Sequence, residues 1–415
     1  MKNNCEKYSL EDVLIISGGG TPSTKNPEYW NGDIPFLVPT DVTGQKCKYM
    51  ERTSNYITDL GLKKSSAKIN PPGSILLTSR ATIGECVINR VPMVTNQGFI
   101  NIQAKKDKVD TEYFFYWIKN NRDHLISLGR GAVYLELVKS VFRKIEIELP
   151  SLSTQRKIAS ILSAYDNLIE LNERRIKILE EMARLIYKEW FVKFRFPGYE
   201  KVRMVESELG RIPEGWEATN LGTVLDSIES GSRPKGGAEG FSPDGIPSIG
   251  AESIFGLGKF DFNKTKYISK SFFGNMRSGL IKNGDVLLYK DGACIGRKTY
   301  FDEDFPFKTC CINEHVFILR VNKRISQKYL FFWIDQLWVT QEIINLNSNS
   351  AQPGINKPSV KTLPILIPNH EIVTLFDEIV TPIIKMLFTC CKQNIALRQT
   401  RDMLLPRLIE GKIDV

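Results

Sequence analysis

The 415-residue chain is poor in metal ligands: it has three histidines (His124, His315, His370), and its eight cysteines (Cys5, Cys47, Cys86, Cys294, Cys310, Cys311, Cys390, Cys391) contain no Cys-x-x-Cys pair. A structural zinc needs four nitrogen or sulfur donors at workable spacing, so no metal is expected. Disulfide-like spacing is missing, and Met1–Leu10 is polar where a secretory leader would be apolar. Free thiols in a reducing cytoplasm are the reading. No apolar run approaches the roughly eighteen residues of a membrane span; the best, Ile372–Cys391, is interrupted by Asp377, Glu378, Pro382 and Lys385. No membrane partner is expected. A phosphate-cradling loop ending in Gly-Lys-Ser/Thr is absent, which argues against ATP-driven work by this chain.

What remains is an ordinary globular composition, 42% hydrophobic and 25% charged, long enough for two or three domains with their own cores. Lys plus Arg number 56 against 47 Asp plus Glu, a net +9 that favours a polyanionic partner without naming one.

The chain is written twice, at an offset of about 212 to 218 residues. Gly18-Gly19-Gly20-Thr21-Pro22 and Gly32-Asp33-Ile34-Pro35 answer to Gly231-Ser232-Arg233-Pro234 and Asp244-Gly245-Ile246-Pro247. Pro72–Leu77 followed by Ala81–Gly84 answers to Asn283–Leu288 followed by Ala293–Gly296, a turn, a short buried strand and a second turn. Tyr113-Phe114-Phe115-Tyr116-Trp117 answers to Tyr329-Leu330-Phe331-Phe332-Trp333, aromatic stretches that read as core. Val141–Pro150 and Val360–Pro368 are β-branched runs closed by proline, each a last strand handing over to a helix.

About forty residues without Gly or Pro precede Pro197, and Ser153 or Thr154 is the expected cap. Ile158, Leu162, Tyr165, Ile169, Asn172, Ile176, Leu179, Ala183, Ile186 and Trp190 follow the 4-3 spacing of a coiled-coil seam. At ~1.5 Å per residue the rod is roughly 60 Å long. The second copy repeats the spacing with Phe376, Val380, Ile383, Leu387, Cys390, Asn394, Leu397, Arg401, Leu404 and Leu408. Asn172 and Asn394 interrupt the two seams, either to fix register or as tolerated positions. Pairing the rods with each other hides both seams, and an antiparallel arrangement relates the halves by a pseudo-twofold axis.

The expected class is therefore α+β: two similar mixed α/β domains and two long helices forming an antiparallel intramolecular coiled coil. The expected boundaries are 1–150 for the first domain, 151–196 for the central helix, 197–210 for a linker, 211–368 for the second domain and 369–415 for the distal helix. Two diverged domains on a rigid ruler suit a ligand with two separated subsites, and duplex DNA is the obvious one.

Residues Leu149–Gly198 resemble the central conserved region of type I restriction-modification specificity subunits, through Pro150, Gln155, Arg156, Ile158, Asp166, Ile169 and the run Leu185–Gly198. Ile212-Pro213-Glu214-Gly215-Trp216 resembles the opening of that family's second target recognition domain, and Leu404–Ile413 its distal ending. The resemblance implies a non-catalytic subunit whose two recognition domains each read half of an asymmetric bipartite DNA site while the helices set the spacer. It further implies two adenine-N6 methyltransferase subunits docked on the helices, with restriction/translocase subunits recruited to them. S-adenosylmethionine would then lie on the methyltransferase partner, ATP and Mg on the restriction partner, and no cofactor on this chain. The N-terminus departs from the pattern by lacking a copy of Pro213–Trp216, a minor truncation on this reading; Tyr8–Val13 still answers to Thr219–Val224, so a full first domain is expected.

The alternative is a self-sufficient DNA adenine methyltransferase. Asn70-Pro71-Pro72-Gly73 imitates its Asn-Pro-Pro-aromatic motif, but with Gly in place of the stacking aromatic, and Ile281-Lys282-Asn283-Gly284 drops the prolines.

Only position in the repeat guides the choice of DNA-contacting residues. The turns Ser79–Thr82 and Lys290–Ala293 carry a basic residue at matched places on this reading, which makes Arg80, Thr82 and Lys290 candidates. The loops 129–134 and 349–356 add Arg130, Tyr134, Asn349, Gln352 and Asn356, although Asn also simply favours turns. Arg233 and Lys235 sit in a glycine-rich basic loop, and Lys63, Lys64, Arg297 and Lys298 suit phosphates; solvated surface charge is the competing reading for all of them.

Overall fold

The structure is a computed structural model, and it describes residues 5–45, 47–131, 134–236, 240–347 and 353–415. The chain divides into two units, 1–170 with 396–415, and 171–395.

In the first unit a five-stranded sheet runs in the order Leu14–Gly18, Phe99–Ala104, Ile75–Thr78, Cys86–Asn89, Tyr49–Met50, antiparallel except at the last pair. Trp30–Leu37 lies between antiparallel Asn55–Ile57 and parallel Val94–Thr95. Ile75–Thr78 is buried at every position, so it reads as a continuous apolar run rather than an alternation. Asp110 caps the helix Thr111–Asn120 by accepting from Tyr113 N at 3.0 Å, and this helix buries the aromatic stretch against the sheet. Glu6–Ser9 pairs antiparallel with Glu146–Leu149, which delivers the chain to the first long helix, Leu152–Tyr187.

That helix is capped by Ser151, whose Oγ accepts from Thr154 N at 3.2 Å, and not by Ser153 or Thr154. The cap is one residue after Pro150, because the proline-terminated strand ends there and the helix begins at once. Gln155 is buried and ties the junction, donating to Lys108 O (3.0 Å) and Pro150 O (2.9 Å) while accepting from Asp110 N (3.0 Å). Within this unit Ile158 and Leu162 share a core with Leu404 and Leu408, and Asp166 bonds Arg401 at 2.5 Å, so the two helical segments run antiparallel.

The second unit repeats the plan. Its four-stranded sheet is ordered Leu225–Ser230, Val316–Val321, Val286–Tyr289, Lys298–Tyr300, and Ile246–Ile249 lies between antiparallel Lys266–Ile268 and parallel Cys311–Ile312. Glu217–Asn220 pairs with Pro364–Ile367 as Glu6–Ser9 does with Glu146–Leu149. Ser326 caps the aromatic helix Gln327–Asp335. The stretch 197–210, read above as linker, contributes Met204–Ser207 to a hairpin with Gly210–Pro213. Here Asn172 Nδ2 donates to Asn394 Oδ1 at 3.1 Å, while the Tyr187 and Trp190 rings lie 6.0 and 6.2 Å from Phe376. These pairs again set the first helix antiparallel to the second, His370–Ile409.

Along the seam Ile158, Leu162, Ile169, Asn172, Ala183, Trp190, Phe376, Val380, Leu387, Cys390, Asn394 and Leu408 are buried, and Tyr165, Ile176, Leu179, Ile186, Ile383, Leu397, Arg401 and Leu404 half-buried. No helix among the described residues is long and apolar enough to cross a membrane.

Candidate nucleic-acid interface

Each domain turns sharply after its buried central strand, and the turn is laced to two other segments by backbone hydrogen bonds. In the first domain Ser79 N donates to Gly98 O (2.8 Å), Ala81 N to Leu135 O (3.1 Å) and Leu137 N to Ser79 O (2.8 Å). In the second, Lys290 N donates to His315 O (3.0 Å), Gly292 N to Pro353 O (2.8 Å) and Ile355 N to Lys290 O (2.9 Å). Asn96 Oδ1 accepts from Gly98 N at 2.9 Å, and Asn313 Oδ1 from His315 N at 3.0 Å. Gly19 and Gly231 complete the frame: a Cβ on either would fall 1.9 Å from a backbone oxygen, of Asn96 or Ile312, so nothing larger fits. The same bonds therefore hold the same three segments in both domains.

This register corrects one sequence-based match. Ser79 corresponds to Lys290, and Arg80 to Asp291, so the basic residues of the two turns are not at matched places. A shift of one residue exchanges inside for outside. Lys290 is accordingly mostly buried, with Nζ 2.6 Å from Asp291 Oδ2 and 5.5 Å from the Phe317 ring centroid.

The first domain brings Arg80, Arg130 and Tyr134 onto one laced surface. Arg80 Nη2 donates to Glu136 Oε2 at 2.9 Å, and Arg130 exchanges two backbone bonds with Glu136 (3.0 and 2.9 Å). Arg130 is exposed and Tyr134 is 68% exposed, whereas the Thr82 hydroxyl is buried and out of reach of a ligand. In the second domain Arg233 Nε pairs with Glu314 Oε1 at 2.9 Å, and His315 Nδ1 lies 2.9 Å from Asp291 Oδ2. Lys63, Lys64 and Lys235 are exposed away from these laces' bonds, and Arg297 stacks its guanidinium 5.2 Å from the Phe255 ring centroid. Asn349 and Gln352 lie outside the described residues.

Two candidates are structural instead. Asn356 caps the helix Lys357–Lys361, its Oδ1 accepting from Ser359 N at 2.8 Å. Lys298 is buried, with Nζ donating to Ile334 O (2.8 Å) and Thr340 Oγ1 (2.5 Å), so it is no phosphate contact. Burial lowers its pKa to about 8. Because the folded value lies below the unfolded one, near 10.4, the unfolded chain binds more protons between pH 8 and 10.4, and stability rises with pH in that window. Lys298→Met is expected to remove this rise; parallel urea titrations of both proteins at pH 7.5 and 10 check it, and an equal pH response in the two would refute it.

Sequence reasoning passed over Glu136, Asp291, Glu314 and His315, since their partners come from distant segments. The paired Asn96 and Asn313, each three residues ahead of a strand, were the available signal.

The family model "Type I restriction modification DNA specificity domain" matches residues 2–181 and again 213–397. The chain belongs to the type I restriction-modification specificity subunits. It is 32% identical over 409 residues to the type I restriction enzyme MjaIX specificity subunit of Methanocaldococcus jannaschii, covering 98% of this chain and 93% of that one. It is 23% identical over 374 residues to the type I restriction enzyme HindI specificity subunit of Haemophilus influenzae, covering 77% and 81%. A crystal structure of a type I restriction-modification system S subunit from M. genitalium shares the fold, with a TM-score of 0.63 at 14% identity over 98% of this chain and 96% of that one.

As a specificity subunit the chain is the non-catalytic, sequence-determining part of its system, and the methyltransferase alternative is not supported. Asn70, which heads the imitated motif, is buried with Nδ2 donating to Met93 O at 3.2 Å, and Gly73 N donates to Asn89 O at 2.8 Å; the segment is a turn that feeds a strand.

Proposed function

We propose that each α/β domain reads one half of an asymmetric bipartite site in duplex DNA, and that the paired long helices set the spacer between the halves. The observation that carries this reading is the duplicated lace: one backbone frame, presented twice with different side chains, suits two different half-sites. Exposed Arg80, Arg130, Lys63, Lys64, Arg233 and Lys235 supply base or phosphate contacts.

Two methyltransferase subunits dock on the helices, and restriction/translocase subunits join them. Leu171, Ile178, Met182 and Leu185 are exposed on the first long helix at 7-4-3 spacing, off the seam, and in the first unit Ile161 and Leu168 continue the spacing. Such a stripe is a liability in water and fits a partner helix. S-adenosylmethionine belongs to the methyltransferase, ATP and Mg to the restriction subunits, and the whole assembly works in the cytoplasm.

Inserting one heptad within Asn167–Met182, with the seam kept in phase, adds about 10 Å of helix. The spacer is expected to lengthen by about three base pairs, at 3.4 Å each, while both half-site sequences stay the same. Genome-wide mapping of methylated adenines in cells carrying the variant reads the result, and an unaltered spacer would overturn the ruler.

A further inference from the structure

The lace fixes a residue-for-residue correspondence between the domains, since the isolated bridges Arg80–Glu136 and Asp291–Gly354 fall at matched places. A cation in one domain thus stands where the other has an anion, on frames that share their backbone bonds. Packing does not require the exchange, because both side chains reach solvent: Arg80 is 46% and Asp291 29% exposed.

Each is held by neighbours that leave part of it open. Arg80 uses Nη2 for Glu136, and its other nitrogens have no partner among the described residues. A guanidinium steadied at one corner keeps a planar fork for the O6 and N7 acceptors of guanine. Glu136 has no counterpart in the second domain, where Gly354 takes its place. Asp291 is instead held from the strand end: His315 Nδ1 (2.9 Å) and Lys290 Nζ (2.6 Å) both reach Oδ2. Oδ1 has no partner among the described residues and can only accept. A carboxylate near phosphates needs offsetting charge, and the neighbouring Lys290 provides it. The base group that matches a steadied lone acceptor is an exocyclic amine, foremost N4 of cytosine.

We propose that Arg80 and Asp291 are base-reading residues, Arg80 donating to guanine in one half-site and Asp291 accepting from the cytosine amino group in the other. The proposal rests on the reading that each domain contacts one half-site. Lys290 then serves as a positioning residue that orients Asp291.

The test uses the full chain assembled with its methyltransferase, assayed on a duplex library varied at every position of the site. Asp291→Asn and Asp291→Ala should each relax the preference for cytosine at one position of one half-site by roughly 5- to 150-fold. Arg80→Ala and Arg80→Lys should do the same for guanine at one position of the other. Each profile is normalised to that complex's own best sequence, so a reduced folded fraction leaves it unaltered. A profile identical to wild type, a change spread evenly over all positions, or loss of all methylation with both substitutions at a place overturns the assignment. If the unsubstituted complex itself methylates no bipartite site, the half-site reading fails instead.

Discussion

Arg320→Met is expected to destabilise the second unit by about 3–5 kcal/mol, the cost of breaking a buried ion pair from one side. Arg320 Nε and Nη2 each reach Asp285 at 2.7 Å, Nη2 also donates to Leu280 O at 2.9 Å, and Nη1 pairs with Glu229. Asp285 is 2% exposed, so among the described residues its charge would keep, without the guanidinium, only the 2.8 Å bond from Lys282 N. Glu229 is better placed, being partly exposed and bonded by Gly279 N at 2.8 Å. The chemical-denaturation midpoint of the purified chain measures the loss. Arg320→Met with Asp285→Leu should recover most of it, because the buried anion goes as well; a single-variant loss under about 1 kcal/mol would show that the pair is idle.

Phe376→Ala is expected to cost about 3–5 kcal/mol by opening a cavity that rigid neighbours cannot close. Phe376 is fully buried, with ring centroids of Phe191 at 5.0 Å, Tyr187 at 6.0 Å, Phe332 at 6.0 Å and Trp190 at 6.2 Å. These rings come from the first long helix, its terminal π-helical turn Lys188–Val192 and the aromatic helix, so one side chain joins three elements of the second unit. For a unit of this size the melting transition should fall by roughly 6–20 °C. Calorimetry of the isolated chain reads it directly, and a shift of under about 3 °C would mean the cluster closes over the gap. In the assembled system the half-site read by the second domain should lose its sequence preference first on warming.

Much of the architecture was legible because its signals are local. The buried strands Ile75–Thr78 and Val286–Tyr289 announce themselves as apolar runs after Gly turns, and the 4-3 seam shows in composition alone. The site was harder. Arg80 and Glu136 are 56 residues apart, joined by a single bridge between loops, and Asp291 and His315 are 24 apart, meeting only where the strands Val286–Tyr289 and Val316–Val321 pair. Similarity across the Lys290–Ala293 turn does not fix register to one residue, and that one residue decides whether Lys290 or Asp291 stands where the first domain has Arg80. Lys298 looked like a surface cation because burial depends on which side of a short edge strand faces the aromatic helix. Asn356 was ambiguous for a chemical reason, since the amide that suits adenine also caps helices.

The first unit is discontinuous in the chain: 396–415 returns to it after all of 171–395. Leu404, Leu405, Leu408, Ile409, Ile413 and Val415 then complete the same apolar core as Ile158 and Leu162. On the ribosome 171–395 can finish folding while the part before it still waits, with an unfilled groove, for 396–415 to emerge. Loss of 396–415 would therefore damage the part of the protein that was made first.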